Sequence, residues 1–127
     1  PLADPLLERR RANYLAAVHW AGPEVGAAFL ELSTGEFFCL QGPPGRLEGL
    51  LHSLRPSEVL VARRDLRTFE QSFGSFHTYR LEDWIFAEGF APPLLLRHFG
   101  VHSLKGFGVE GAPAAEVAAG AILHYLK

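Results

Sequence analysis

Length, composition and charge point to a single globular domain of ordinary type. The chain has 127 residues, of which 48% are hydrophobic, and 12 basic against 14 acidic side chains give a net charge of −2. A chain of this length forms one domain and can bury a core of its own. The near-neutral charge supplies no basic face for strong phosphate binding, and a single cysteine excludes an internal disulfide framework.

The chain carries no targeting or membrane signal. No run approaches the ~20 apolar residues that span a bilayer, and residues 1–5 lack the basic-then-apolar pattern of a secretory signal. We therefore expect a cytoplasmic protein. The sequence contains no methionine and ends within an apolar helical pattern, so we expect residues 1–127 to be one domain excised from a longer chain.

The first half of the chain predicts three strands in an antiparallel meander. Apolar, β-prone runs cover residues 14–20, 25–32 and 36–40. The second and third runs are separated by Ser33-Thr34-Gly35, where glycine takes a positive φ without a steric clash. This spacing is typical of a β-hairpin.

The pattern then changes to a helical period. Leu47, Leu50, Leu51 and Leu54 fall at i, i+3, i+4 and i+7, which predicts one apolar face of a helix. The short apolar run at 59–62 is typical of a strand that is covered on both faces.

The next segment predicts a second helix and a fifth strand. Asp65 is a candidate N-cap for a helix over 66–73, and Gly74 stands at its C′ position. Residues 76–81 alternate in polarity, as a strand does.

The last third of the chain predicts turns and two more helices. Asp83 opens a turn that contains the aromatic residues Trp84 and Phe86. Together with Phe90 we expect them to belong to the core, and an interface is the alternative. A helix is predicted from Pro92 to Gly100, and another runs from Pro113 to the chain end. The small residues of this last helix indicate close packing against the sheet.

These elements assemble into an α/β fold. Because strand–helix–strand crossovers are right-handed, the fourth and fifth strands should lie parallel beside the first. The result is a mixed five-stranded sheet, with an antiparallel three-strand meander plus two parallel strands, flanked by helices. This arrangement is RNase H-like, but a fold alone does not establish a function.

A nuclease site is disfavoured by the acidic residues. RNase H-like nucleases hold two Mg²⁺ ions with carboxylates on the sheet, and the first strand contains no acid. Glu31, Glu36 and Glu58 are more simply explained as solvated charges at strand ends.

Three other motifs have simpler structural explanations. Residues 106–111 match G-x-G-x-x-G, but no buried strand precedes them, so a tight packing loop is favoured over a dinucleotide site. His98 and His102 have a zinc-like spacing that Gly100 interrupts. Cys39 has no neighbouring base and is best explained as a small core or half-core residue. We expect no catalytic, cofactor-binding or metal-binding residues.

Several stretches together resemble the connector domain (domain II) of the MutS family of mismatch-repair ATPases. Their order and spacing over nearly the whole chain make the resemblance specific. The stretches are RANYLAA at 11–17, LSTGEF at 32–37, RPSEVL at 55–60, FGV at 99–101, GFGVE at 106–110 and AAGAILHYL at 118–126.

The resemblance implies a non-catalytic connector between the mismatch-binding domain and the core and ATPase domains. It implies ATP, Mg²⁺ and mismatched DNA as ligands of the parent protein, with little direct nucleic-acid binding by this domain and no membrane partner. No G-x-x-x-x-G-K-[ST] motif occurs in the chain. Neighbouring MutS domains and MutL are the implied partners.

The resemblance also places a contribution to MutL docking on the helix that begins near Pro92. The candidate contact residues are Phe90, Pro93, Leu94 and Arg97. An RNase H-like nuclease and a small nucleotide- or ligand-binding regulatory domain remain the alternative functions.

Overall fold

The computed structural model describes residues 13–87 and 113–126, which form a five-stranded sheet and three α-helices. The strands are β1 (Tyr14–Ala21), β2 (Glu24–Glu31), β3 (Phe37–Gly42), β4 (Glu58–Ala62) and β5 (Thr78–Leu81). The helices are α1 (Pro44–Leu54), α2 (Leu66–Phe73) and α3 (Pro113–Leu126). Short 3₁₀ turns cover Arg63–Asp65 and Asp83–Phe86. None of the helices in this part of the chain has the length and apolar character that a membrane crossing requires.

The strand order β3-β2-β1-β4-β5 confirms the predicted RNase H-like sheet. β1 pairs antiparallel with β2, and β2 antiparallel with β3, so the first three strands form the expected meander. β4 lies parallel to β1, and β5 parallel to β4. Gly35 has φ +80° in the hairpin between β2 and β3, which is the conformation that made glycine the expected residue there.

The two faces of the sheet are covered by different helices, one face by α3 and the other by α1 and α2. Alternate residues of β1 point to opposite faces, so that Leu15 and Ala17 face α3 while Ala16 and Val18 face α1 and α2. On the second face Leu51 and Phe69 are fully buried against the strands. The helical stripe predicted from the leucines of α1 is confirmed, since its most buried members are Leu47 and Leu51.

The small residues of α3 bring this helix unusually close to the sheet. A Cβ atom built on Gly26 of β2 would lie well under 3.0 Å from backbone atoms of Ala114 and Ala115. The side chain of Gln41, on β3, accepts hydrogen bonds from the backbone N–H groups of Ala114 and Ala115 at 2.8 and 3.2 Å. The first turn of α3 is therefore capped by a residue 73 positions earlier in the sequence, over a strand position that only glycine fits.

Two local predictions were wrong. Asp65 does not cap α2 with its side chain, because it closes a 3₁₀ turn with φ −100° and ψ −3° instead of taking the extended conformation of an N-cap. Trp84 is 58% exposed, whereas its neighbours Ile85 and Phe86 are buried. Phe86 therefore belongs to the core as predicted, but Trp84 does not.

Other predictions fall on residues outside the described ranges. These are the helix from Pro92 to Gly100, the glycine loop at 106–111, the pair His98 and His102, and the candidate docking residues Phe90, Pro93, Leu94 and Arg97.

Candidate functional site

The carboxylates of the described residues do not form the cluster that a two-metal nuclease uses. β1 carries no carboxylate, and within residues 13–87 and 113–126 no three His, Cys, Asp or Glu side chains lie close enough together to hold a metal ion. Two-metal nucleolytic chemistry requires such a group of carboxylates on the sheet. The polar side chains of this part of the chain form hydrogen bonds with one another and with the backbone.

Most of that polar chemistry lies at the edge of the sheet where β1 and β4 begin. The hydrogen-bonded side chains at this edge are called the basal network below. They are Asn13, Glu31, Ser33, Thr34, Ser57, Glu58 and Tyr125.

Glu31 is the centre of the basal network. Its carboxylate accepts hydrogen bonds from the backbone N–H of Asn13 at 2.9 Å, from the Ser33 hydroxyl at 2.7 Å and from the backbone N–H of Thr34 at 2.9 Å. These bonds, that of Ser33 first, lower the pKa of Glu31 to about 2 from an ordinary value of 4.5. The residue is only 4% exposed, so the expectation that Glu31 is a solvated charge was wrong.

The same carboxylate determines the shape of the hairpin. Ser33 and Thr34 follow β2, and their bonds to Glu31 resemble an Asx-type turn extended by one carbon. The backbone bonds from Gly35 N–H to Glu31 O and from Glu31 N–H to Glu36 O, both 2.8 Å, close the loop. Glu36 in turn accepts the phenol O–H of Tyr14 at 3.1 Å, which attaches the hairpin to β1.

Asn13 connects β1 to the start of β4. Its side-chain oxygen accepts the hydroxyl of Ser57 at 2.8 Å, and the backbone N–H of Ser57 donates to the carbonyl of Tyr14 at 2.9 Å. Because Leu15 pairs with Glu58 in the parallel register, these bonds lie directly at the first rung of the β1–β4 ladder.

Glu58 connects the same edge to the last turn of α3. Its carboxylate accepts the phenol O–H of Tyr125 at 2.7 Å, and this bond, with burial, raises the pKa of Tyr125 to about 12. The other oxygen of Glu58 lies 3.4 Å from the imidazole Nε2 of His77. The ring of Tyr125 also contacts that of Tyr79 on β5, with centroids 5.1 Å apart. Glu58 is thus occupied by structural contacts and is not simply solvated.

Cys39 behaves as the sequence predicted. It is half-buried against the core beneath α3, and burial raises the pKa of its thiol to about 12. A thiol with that pKa is protonated at neutral pH and is a poor nucleophile.

Sequence reasoning missed Ser57 and Tyr125 as members of a site. Both belong to stretches that carried the family resemblance, RPSEVL and AAGAILHYL, but nothing in their spacing indicates that positions 57 and 125 approach one another. Only the parallel placement of β4 beside β1, with α3 across both strands, brings them to the same edge.

The fold and the basal network define an α/β domain with an RNase H-like sheet, in which Glu31 holds the turn after β2 and Glu58 holds the last turn of α3. Residues 13–127 match the family described as MutS domain II. The chain therefore belongs to the MutS domain II family, the connector domain of the DNA mismatch repair protein MutS.

Bacterial MutS proteins are close relatives over nearly the whole chain. The chain is 48% identical over 125 residues to the DNA mismatch repair protein MutS of Cytophaga hutchinsonii, covering 98% of this chain and 15% of that protein. The corresponding protein of Flavobacterium johnsoniae is 44% identical over 127 residues, with 99% and 15% covered. That of Bacteroides thetaiotaomicron is 45% identical over 124 residues, with 97% and 14% covered. The chain thus spans about one seventh of the length of these relatives.

Proposed function

We propose that this domain is a non-catalytic connector inside a longer MutS-type mismatch-repair protein. In this role it links a mismatch-binding domain to core and ATPase domains, and it offers a docking surface for MutL. ATP, Mg²⁺ and mismatched DNA are ligands of the parent protein in this proposal, and the parent acts in the cytoplasm. Membership of the MutS domain II family supports the proposal.

The observation that carries the connector role is the basal network. Asn13 stands directly before β1, and Tyr125 lies in the last turn of α3, yet both reach the start of β4 through Ser57 and Glu58 respectively. A displacement of the chain before β1 therefore acts on the same short segment, Ser57-Glu58, that holds the end of α3. Such a hydrogen-bonded connection resists stretching, and no loop lies within it to absorb a displacement. It therefore transmits motion between the parts of the protein on its two sides.

The MutL-docking role is proposed for the surface around Phe90, Pro93, Leu94 and Arg97. Residues 94–96 are three successive leucines, which on a helix point in directions about 100° apart. If the helix predicted there packs on one side, it cannot bury all three leucines equally, and we expect one of them to face the partner. A leucine left exposed beside the cationic Arg97 would form a small mixed patch of the kind that transient interfaces use.

The docking proposal is tested by charge reversal in the full-length parent. In a variant carrying Leu94→Glu and Arg97→Glu, recruitment of MutL in a surface-binding assay should fall several-fold, because the apolar contact and the positive charge are both removed. Mismatch binding and ATP hydrolysis should stay within about twofold of the unsubstituted protein, since those activities are assigned to other domains.

A matched control is Arg46→Glu, an exposed charge reversal in α1. This control should recruit MutL normally. Normal recruitment by the folded Leu94→Glu/Arg97→Glu variant would place the docking surface elsewhere on the domain.

A further inference from the structure

A group of arginines surrounds a shallow depression at the edge of the sheet opposite the basal network. Arg63, Arg64 and Arg67 lie where β4 ends and α2 begins, and they are called the arginine patch below. The depression has a volume of about 520 Å³. Besides the arginine patch it is lined by Leu66, Thr68 and Glu70.

The arginine patch concentrates the positive charge of an otherwise near-neutral domain. The described residues contain six arginines and no lysine, and three of those six fall within five consecutive positions. The depression itself is lined by three guanidinium groups and a single carboxylate. Its formal charge is therefore opposite in sign to the net charge of −2 of the whole chain.

Nearby acids hold these arginines only weakly. Arg63 lies 3.4 Å from Glu82, but both side chains are about 60% exposed, and Arg64 lies 4.0 Å from Asp65. The Arg63–Glu82 pair is exposed on both sides and contributes little, so a phosphate can replace Glu82 as the partner of Arg63. Arg67 makes no ion pair with any other residue of the described ranges.

The lining favours a phosphate backbone over other anionic partners. Guanidinium groups bind phosphate oxygens through paired N–H donors, and the hydroxyl of Thr68 adds a further donor. No aromatic ring lines the depression, so it lacks the stacking surfaces that single strands use and the aromatic anchors of a protein interface. These properties fit the outside of a duplex.

We propose that the arginine patch contacts the sugar–phosphate backbone of duplex DNA in the full-length protein. The inference rests on the proposed function, because it requires a parent that binds DNA. With at most three phosphates contacted, this contact is weak by itself and independent of base sequence. It supplements the mismatch-binding domain and does not recognise the mismatch.

The test measures the salt dependence of DNA binding by the full-length protein. In the variant Arg63→Gln/Arg67→Gln, the slope of log affinity against log salt should become shallower by about 1 to 2, because roughly one counterion is released for each phosphate contacted. Affinity near physiological salt should fall several-fold, and by the same factor on matched and mismatched duplexes. Both arginines are exposed, so the melting temperature should not change.

The control is Arg46→Gln/Arg55→Gln, which removes the same charge from exposed positions of α1 and the residue that follows it. This control should retain the original salt slope. An unchanged slope in the patch variant, as expected if the arginines serve an acidic protein, would overturn the inference while leaving the proposed function intact. A loss confined to mismatched duplexes would also overturn it. If the unsubstituted parent does not bind duplex DNA, both the proposed function and the inference are wrong.

Discussion

The Gly26→Ala variant is expected to lose about 3 kcal/mol of unfolding free energy, or to fail to fold, because α3 can no longer rest on β2. The added methyl group would meet the backbone of Ala114 and Ala115, and not the end of a flexible side chain that could turn aside. Overpacking of a well-packed core usually costs about 1–3 kcal/mol, and a backbone obstacle is at the upper end of that range.

The loss should spread along the whole of α3. If the first turn lifts away from β2, the N–H groups of Ala114 and Ala115 also move off the side chain of Gln41, which now accepts both. The apolar residues of α3 that are almost completely buried against the sheet, Ile122 and Leu123 among them, would then be partly exposed. Urea unfolding measures the free energy, and hydrogen exchange shows whether α3 loses its protection first.

Gly49→Ala is the matched control for this prediction. Gly49 is an exposed residue of α1, and a Cβ atom there would meet nothing within 4 Å. The same substitution should therefore raise stability by about 0.5–1 kcal/mol, since alanine is the better helix former. Equal stabilities for the two variants would show that the close approach of α3 to Gly26 does not matter.

The Glu31→Gln variant is expected to melt several degrees lower at neutral pH. An amide has nearly the shape of the carboxylate, but it keeps only one acceptor oxygen. Asn13 and Thr34 donate to different oxygens of Glu31, so the NH₂ group of glutamine must face one of these two N–H donors. That contact places two donors against each other, and the charge-assisted hydrogen bond at that position is lost. The hairpin and the attachment of β1 should loosen together.

The dependence of stability on pH gives this prediction a second measurement. The pKa of Glu31 is about 2 in the folded chain, below its ordinary value of 4.5, so the folded state favours the ionised form. The stabilisation is fully present above about pH 4.5 and is lost as the pH falls toward 2. In Glu31→Gln this contribution is absent, and the free energy of unfolding should decline less steeply over that range.

Glu48→Gln provides the comparison for charge alone. Glu48 is exposed on α1, and its substitution should leave both the melting temperature and the acid dependence unchanged. Parallel acid profiles for the Glu31→Gln variant and the unsubstituted chain would contradict the role assigned to the Glu31 carboxylate.

The elements with strong local signals were predicted well from the sequence. The strands of the meander and the helix over 66–73 were placed to within two residues, because alternation of polarity, leucine spacing and turn glycines act over a few positions. The largest of these differences is at the end of β3, which continues to Gly42, two residues beyond the predicted run. The leucine spacing did not predict where α1 begins, and the helix starts at Pro44 because proline is favoured in the first turn of a helix.

The candidate site was less predictable than the fold. Glu31 was noticed but judged solvated, because a carboxylate after a strand is usually exposed, and its burial depends on the path of the hairpin that it organises. For Asp65 the error was the opposite one, because a capping role was predicted that the residue does not have. It has the residue type and position of an N-cap, yet the 3₁₀ turn before α2 gives it the wrong backbone conformation.

The sequence by itself determined the elements, the amphipathic faces, the absence of an acid from β1 and, through its quoted stretches, the MutS domain II family. Only the tertiary structure decided which distant residues meet, such as Gln41 with Ala114 or Glu58 with Tyr125. The physical reason is the distance along the sequence over which each effect acts. Propensity and periodicity depend on neighbours a few positions apart, whereas these contacts join residues 73 and 67 positions apart and exist only once α3 lies across the sheet.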